Sequence, residues 1–324
     1  MKKLSYMKDS MKKLRDFLVH LKNNNPWLLL IWLEQLRTRG IKDLKNNDDL
    51  TAINKLYFNF AGKYPNIESP QTFSDKMQWL KLNYHDPLLT RCADKLAVRG
   101  FIEEKGYGYT LNELLAVYKS VDDFDVKLLP EKFVLKASHG SGWNLICKDK
   151  SKINWFAYKL VMKSWLRSNI FWPGREWPYK NMAPGIICEK YMEDESGLLM
   201  DYKVFCFNGV PRFMQANKGR GTNRHAQNFY DIDWNILPFG KDLKPLPDVV
   251  IPKPVKFEDM RNIAEGLSAG FPFVRVDFYE VDGKVIFGEL TFFPKSGLPD
   301  FIPAEYDSIL GEMLTLPVIQ KKAE

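Results

Sequence analysis

An α+β protein is predicted from three observations. Helical periodicity fills roughly the first 85 residues, strand-like runs follow as hairpins joined by Gly or Asn-Gly turns, and helices between them are kept apart from the strands. The hairpin at residues 273–297, FVRVDFYEVDGKVIFGELTFFPKSG, closes the series. Aromatic and β-branched residues flank its Asp282-Gly283 turn signal, and it carries Arg275 and Asp277 on one strand and Glu289 and Thr291 on the other. A two-residue Asp-Gly loop would pair position 277 with 288 and turn Glu289 to the opposite face. A three-residue loop of Val281, Asp282 and Gly283, with Gly283 left-handed, pairs 275 with 289 and sets all four side chains on one face. The second geometry is the expected one. Two carboxylates beside a guanidinium repel unless something lies between them, and oxygen ligands next to a cation suit Mg²⁺ bridging nucleotide phosphates. The plain alternative is a solvated hairpin whose acids pair with Arg275 and Lys284. Its apolar neighbours Val274, Val276, Phe278, Ile286, Phe287 and Leu290 weigh against that.

The chain has 324 residues, 45% of them hydrophobic, enough for one large core or two to three small ones. A formal charge of +7 favours an anionic partner, and the lack of an arginine tract or RNA-binding aromatic motif makes nucleic acid the weaker choice. Cys92, Cys147, Cys188 and Cys206 stand far apart without a C-x-x-C pair, which reads as reduced core thiols of a cytosolic protein and not as a zinc site. The start is basic without the apolar core of a signal peptide, and Trp27–Leu36 is too short to cross a bilayer.

Residues 1–50 read as amphipathic helices, with Leu14, Phe17, Leu18 and Leu21 recurring among lysines. They either pack on the protein body or rest on anionic lipid. A helix is expected from Phe73 to Leu82 and another from Pro87 to Lys105, the latter carrying Asp94, Lys95 and Arg99. The strand Phe133–Ala137 leads into Ser138-His139-Gly140-Ser141-Gly142, and a strand Asn144–Lys148 returns. Helix Ile153–Arg167, an aromatic loop at 170–181, strand Gly185–Met192, a hairpin of Asp201–Phe207 with Pro211–Ala216, and helix Phe257–Ser268 complete the order.

Lys136 ends an apolar strand just before the glycine loop, whose backbone N–H groups can approach phosphate oxygens while the lysine adds a point charge. The loop lies between two strands, so it is expected to act as a flap over a nucleotide, with an ordinary turn as the alternative. His139 either touches phosphate or faces water. Glu189-Lys190-Tyr191-Met192 ends a purely apolar strand; its backbone can meet an adenine edge while Met192 and Leu145 sandwich the ring.

Taken in order, Asp94-Lys95-x-x-x-Arg99, KFVLKASHGSG, REWPY, Glu189-Lys190-Tyr191, DYKVFCFNG, Arg275-x-Asp277 and Glu289-x-Thr291 resemble the ATP-grasp superfamily. Their wording is similar to its TupA-like branch of teichuronopeptide and polysaccharide biosynthesis, over roughly residues 70–320. The resemblance implies an ATP-grasp fold, two α+β subdomains clasping ATP, at 86–192 and 193–324, behind a mainly helical region at 1–85. It also implies ATP and Mg²⁺ as cofactors. Lys95 and Lys136 would reach the phosphates beneath the flap of Ser138, His139, Gly140, Ser141 and Gly142. Glu189, Lys190, Tyr191 and Met192 would form the adenine hinge, with Asp201 near the ribose. Asp277, Glu289 and Thr291 would hold metal, with Thr291 standing where most members have Asn. Arg275 and Lys203 would serve catalysis. The implied activity is a carboxylate–amine ligase acting through an acyl phosphate. It would join an anionic sugar or oligosaccharide, of uronic-acid type, to an amine or amino acid in the cytoplasm, with peripheral contact at the inner membrane face through the basic N-terminal helices. Lys218, Arg220 and Arg224 form either a basic segment suited to an acidic acceptor or a solvated loop, and Trp172, Trp177 and Tyr179 either offer faces for sugar rings or pack as an aromatic loop. The rival readings are a kinase of sugar hydroxyls, a glycosyltransferase using Asp231-Ile232-Asp233, a motif that otherwise reads as a turn before Trp234, and a non-catalytic nucleotide sensor.

Overall fold

The computed structural model describes residues 44–319 apart from 194–198, 220–224, 242, 244, 245, 247 and 250. The basic helices expected before residue 44, and Arg220 and Arg224, lie outside the described residues. Among the described residues no helix is long and apolar enough to cross a membrane.

The chain enters through helices α1 (Asp49–Ala61), α2 (Phe73–Asn83), α3 (Pro87–Ala93) and α4 (Ala97–Glu104). Strands β1 (Leu114–Tyr118), β2 (Phe133–Ala137) and β3 (Asn144–Cys147) follow, then α5 (Trp155–Arg167), the short α6 (Phe171–Gly174) and β4 (Ile186–Lys190). These strands form one antiparallel sheet ordered β1-β4-β2-β3. Helix α5 seals it, placing Tyr158, Val161, Met162 and Trp165 against Phe133, Leu135 and Cys188. Next come β5 (Asp201–Phe207), β6 (Val210–Lys218), β7 (Ala226–Asp231), β8 (Gly240–Lys241), α7 (Phe257–Ser268), β9 (Phe273–Val281) and β10 (Lys284–Thr291). The five long strands make the second antiparallel sheet, ordered β10-β9-β5-β6-β7. The chain closes with β11 (Phe301–Ile302), paired with β8, and α8 (Tyr306–Met313). Hairpins and α+β character are as expected from the sequence.

Three differences matter for the site. First, α3 and α4 belong to the core of the second sheet, where Leu89, Cys92, Val98, Phe101 and Ile102 join Val274, Val276 and Phe278. The unit expected at 86–192 therefore begins structurally only with β1. Second, β1 was not foreseen: its short LLAVY segment lacks polar–apolar alternation and pairs only with β4. Third, the expected single helix 87–105 is broken at Asp94. The Asp94 backbone is extended (φ −75°, ψ 120°), and its Oδ1 accepts the N–H groups of Leu96 (2.7 Å) and Ala97 (3.1 Å), capping α4. A continuous helix would spread Asp94, Lys95 and Arg99 around its surface. The break turns Lys95 towards the glycine loop.

The final hairpin reaches the expected result by another route. Its turn is the two-residue one, with Asp282 (φ 50°) and Gly283 (φ 69°) both left-handed and Lys284 opposite Val281. That register holds to Phe287 opposite Phe278. Gly288 is then an extra residue, so that Glu289 faces Asp277 and Thr291 faces Arg275. Glycine suits the bulge because a Cβ there would stand 3.0 Å from the Asp277 carbonyl oxygen. The three-residue loop is corrected; the shared face of Arg275, Asp277, Glu289 and Thr291 stands.

That face is split along its length. At one end Phe207, Phe213 and Phe273 cluster under Phe73 of α2, with ring centroids 5.0 Å apart for Phe73 and Phe273. At the other end the paired rows run polar: Glu289, Asp277, Lys203 and Gln215, then Tyr279, Asp201, Asn217 and Gln227. Helix α2 covers the apolar half.

Candidate active site

The ionic centre of the molecule is Asp277, buried at 3% exposure. Its Oδ1 accepts from Arg275 Nε (2.6 Å), and its Oδ2 accepts from Arg275 (2.7 Å) and from Lys203 Nζ (2.5 Å). Lys203 is its direct cross-strand partner and also donates to Asp201 Oδ1 (2.9 Å). Burial opposes ionisation of Asp277, but Arg275 and Lys203 outweigh it and hold the carboxyl below the usual range. Burial likewise disfavours the Arg275 cation, and Asp277 and Glu289 more than offset that. Arg275 donates to Thr291 Oγ1 (3.1 Å), and that hydroxyl donates to Glu289 Oε1 (3.3 Å). Asp201 belongs to this ion cluster.

Across the gap, Lys136 Nζ lies 2.6 Å from Glu189 Oε2, and Arg99 3.6 Å from Glu189 Oε1. Lys95 Nζ donates to the Gly140 carbonyl (2.5 Å) and stands 3.9 Å from Glu289 Oε2, linking the glycine loop to the hairpin. Burial lowers the Lys95 pKa and Lys136 adds to the effect, with Glu289 opposing. Lys95, Arg99 and Lys136 thus surround Glu189 opposite Gly288 of the bulge. Glu189 was expected in the adenine hinge; its side chain belongs with these cations. Its strand is flanked by β1 and β2, and Lys190 already donates to Glu113 O (3.0 Å) and accepts from Asn112 (2.9 Å). A hinge with open backbone therefore starts at Tyr191, whose ring lies between Lys132 and Lys148. Tyr191 and Met192 line a cavity of ≈ 660 Å³ together with Leu115 and Ile286. Leu145, the expected second face for a purine, packs on the first core instead.

Half of the expected flap is fixed. Ser138 N–H donates to Gly185 O, and Ser138 O accepts from Lys95 N–H. A Cβ on Gly140 would fall 2.4 Å from the Trp143 ring. Only Ser141 and Gly142 (φ 72°) are exposed. His139 does not reach the cleft. Its Nδ1 accepts from Gly185 N–H (3.3 Å), so Nε2 carries the proton donated to Trp165 O (2.9 Å). Burial lowers its pKa. With the folded value below the unfolded one, the unfolded chain takes up this proton first as pH falls through about 6.5. The stability from neutral His139 is complete above that pH and is lost below it. Thermal melts from about pH 7.5 to about pH 5 should show the loss, and His139→Gln should flatten it. An equal loss in the variant would assign the effect elsewhere.

The Asp231-Ile232-Asp233 motif closes a turn, with Asp231 Oδ1 accepting the N–H groups of Asp233 (2.9 Å) and Asn235 (2.8 Å). A cleft remains that runs beside β10: Ile286 at the Met192 cavity, Phe287 and Gly288 at the three cations, Glu289 and Thr291 at a further cavity.

The model of the family described as TupA-like ATPgrasp matches residues 75–315, from within α2 to just beyond α8. The chain belongs to the TupA-like ATP-grasp family. The family region takes in both sheets, all three cations around Glu189 and the whole β9–β10 hairpin. No curated protein is matched. Among solved structures, D-alanine–D-alanine ligase from Bacillus anthracis is similar at 17% identity and a TM-score of 0.38, over 66% of this chain and 60% of that one. Phosphoribosylamine–glycine ligase from Thermotoga maritima shows 14% and 0.36, over 65% and 51%. The ATP-grasp ligase PsnB, complexed with a minimal precursor, shows 10% and 0.36, over 68% and 59%. The chain thus spans about 60% or less of the length of these ligases.

Sequence reasoning did not assign Arg99 a role or find Glu176, Lys295 and Ser296 at the far end of the cleft. Glu176 comes from one turn and the adjacent Lys295 and Ser296 from another, and no local spacing signals that.

Proposed function

We propose that this protein is an ATP-dependent carboxylate–amine ligase. The observation that carries the reading is the cleft along β10, cationic over its middle and bearing a cross-strand carboxylate pair next to it. Phosphoryl transfer needs positioning and charge neutralisation more than acid–base chemistry. The cleft supplies Lys95, Lys136 and Arg99 for phosphates, with the exposed tip Ser141-Gly142 above them. Lys203 and Arg275 neutralise charge where a phosphoryl group would transfer. The purine is assigned to the cavity at Tyr191 and Met192.

The donor set fits Mg²⁺. Among the described residues no three His, Cys, Asp or Glu gather as an all-protein cage. Mg²⁺ characteristically takes one or two carboxylates and fills its sphere with phosphate and water; the loosely held Glu289 suits this directly, and Asp277 would join it by exchanging a contact with Arg275 or Lys203. Bound there, it would neutralise phosphate charge. Thr291, a neutral hydroxyl engaged by Arg275 and Glu289, is a weak candidate for a second ion.

For the substrate we infer an anionic sugar of uronic-acid type, joined to an amine in cell-surface polysaccharide synthesis. The supports are the family membership, the net charge of +7 and the basic Lys218 segment. Incubation with ATP, Mg²⁺, hydroxylamine and a panel of uronic acids should release ADP and form a hydroxamate. ADP release without hydroxamate would make the protein a kinase, and UDP release from a nucleotide sugar would make it a glycosyltransferase.

A further inference from the structure

The charge of this chain is unevenly placed. Residues 1–43 carry 10 Lys and Arg against 4 Asp and Glu, a net +6, whereas residues 44–324 carry 37 against 36. A segment so biased is suited to an anionic surface, and its sequence also holds the apolar run Trp27-Leu28-Leu29-Leu30-Ile31-Trp32. The described chain that follows it starts beside α6. Lys45 Nζ lies 5.3 Å from the centroid of the Trp172 ring, Arg175 donates to Asn47 O (2.8 Å), and Arg175 Nε stands 3.2 Å from Asp49. Helix α6 is separated from the end of α5 by Ser168, Asn169 and Ile170 alone.

Helix α5 has an outer face that its fold does not require. Tyr158, Val161, Met162 and Trp165 turn to the first core. On the opposite side Phe156, Leu160, Lys163 and Arg167 follow one another at helical spacing. Phe156 is 77% exposed and Leu160 41%. The helix also holds Lys159 and contains no acid. Asp122, itself exposed, is the carboxylate that meets the stripe, 3.3 Å from Lys163. Cations near a helix C-terminus suit its dipole, which accounts for Lys163 and Arg167 but not for a bare Phe and Leu beside them. Bulky apolar side chains among cations are what rests on a bilayer, the former at the acyl boundary and the latter among headgroups. Phe156 could also stack on a nucleic-acid base, whereas the aliphatic Leu160 next to it suits acyl chains.

We propose that the outer stripe of α5, together with residues 1–43, docks the protein on an anionic phospholipid bilayer. Neither part suffices by itself. Two apolar side chains bury little area, and cations alone are readily released by salt. The basic segment joins the body next to the end of the stripe, so both can engage one membrane plane. Ile170, between α5 and α6, and Leu56 of α1 line the cavity of ≈ 600 Å³ at the end of the cleft, which sets that cavity close to the docked face. Docking of this kind goes beyond the ligase reading and is independent of which reaction the cleft performs.

Vesicle co-sedimentation of the full chain tests this, with phosphatidylcholine alone or mixed with phosphatidylglycerol at about 30%. The protein should pellet with the anionic vesicles only, and about 0.5 M salt should release it. Phe156→Ser combined with Leu160→Ser should weaken binding about tenfold or more, the scale of an apolar side chain leaving the interface. Lys12→Glu combined with Lys13→Glu should weaken it at least as much, since each cation near such a surface adds to the attraction. Both variants should melt like the parent chain, so that the loss is one of docking and not of folding. No binding to the anionic vesicles, or binding indifferent to either variant, would overturn the proposal. Self-association without lipid that Phe156→Ser abolishes would overturn it too, by making the stripe a contact between copies. So would a single-stranded oligonucleotide bound through the same residues, which would assign the face to nucleic acid.

Discussion

Glu289→Gln should abolish most of the Mg²⁺-dependent gain in nucleotide affinity and leave the fold unchanged. Its carboxylate is 39% exposed and its contacts are loose: Thr291 at 3.3 Å, Arg275 at 3.7 Å and Lys95 at 3.9 Å. Neutralising it removes half of the carboxylate pair; Arg275 keeps Asp277, while Lys95 loses its nearest acid and keeps the Gly140 carbonyl, so stability should fall by about 1 kcal/mol or less. Turnover with a competent substrate pair should fall about 10²–10³-fold, the scale of losing one preorganised electrostatic contact. Asp277→Asn should lose as much activity but for mixed reasons. Asp277 is the counter-ion of both Arg275 and Lys203, and removing one partner of a buried ion pair typically costs about 3–5 kcal/mol. Titration of ADP with and without Mg²⁺, beside denaturant melts, separates the two variants. A Glu289→Gln protein with undiminished Mg²⁺ dependence would remove the metal assignment.

Lys136→Ala should weaken ATP binding about 10–100-fold, the usual range for a hydrogen bond to a charged group. The fold should tolerate it, because Glu189 retains Arg99 at 3.6 Å and Lys136 is partly exposed. Loss should be greatest for ATP, smaller for ADP and small for adenosine, since a point charge acts on phosphate and not on base. Equal weakening for all three would mean that Lys136 supports the sheet and not the phosphates. Lys95 makes a poorer probe, because its ammonium also holds Gly140 O, and its loss would loosen the glycine loop itself.

Much of the site was legible from residue types in order: a lysine ending an apolar strand before glycines, and Arg-x-Asp with Glu-x-Thr on one hairpin. Local rules also placed the helix at Phe257–Ser268 and the turn at Asp282-Gly283. They failed where a residue's neighbours come from elsewhere. His139 looked available in a polar turn, yet the carbonyl of Trp165, 26 positions on, draws its ring inward. Glu189 looked like the end of a strand bound for adenine, and Lys136 of β2 and Arg99 of α4 claim its side chain.

The sequence by itself determined the alternation of hairpins and helices, because side-chain period and turn chemistry act within a few residues of one another. It also determined which charged groups had to lie among apolar neighbours. The tertiary structure decided which of those groups meet. The extra residue at Gly288 returns Glu289 to the face of Asp277, the Asp94 cap bends a helix to aim Lys95, and three left-handed residues after β10 bring Ser296 over Lys81 beside Glu176. Each depends on where a neighbouring strand or helix stands, and that position is settled by burial of the two cores as a whole and not by any one segment.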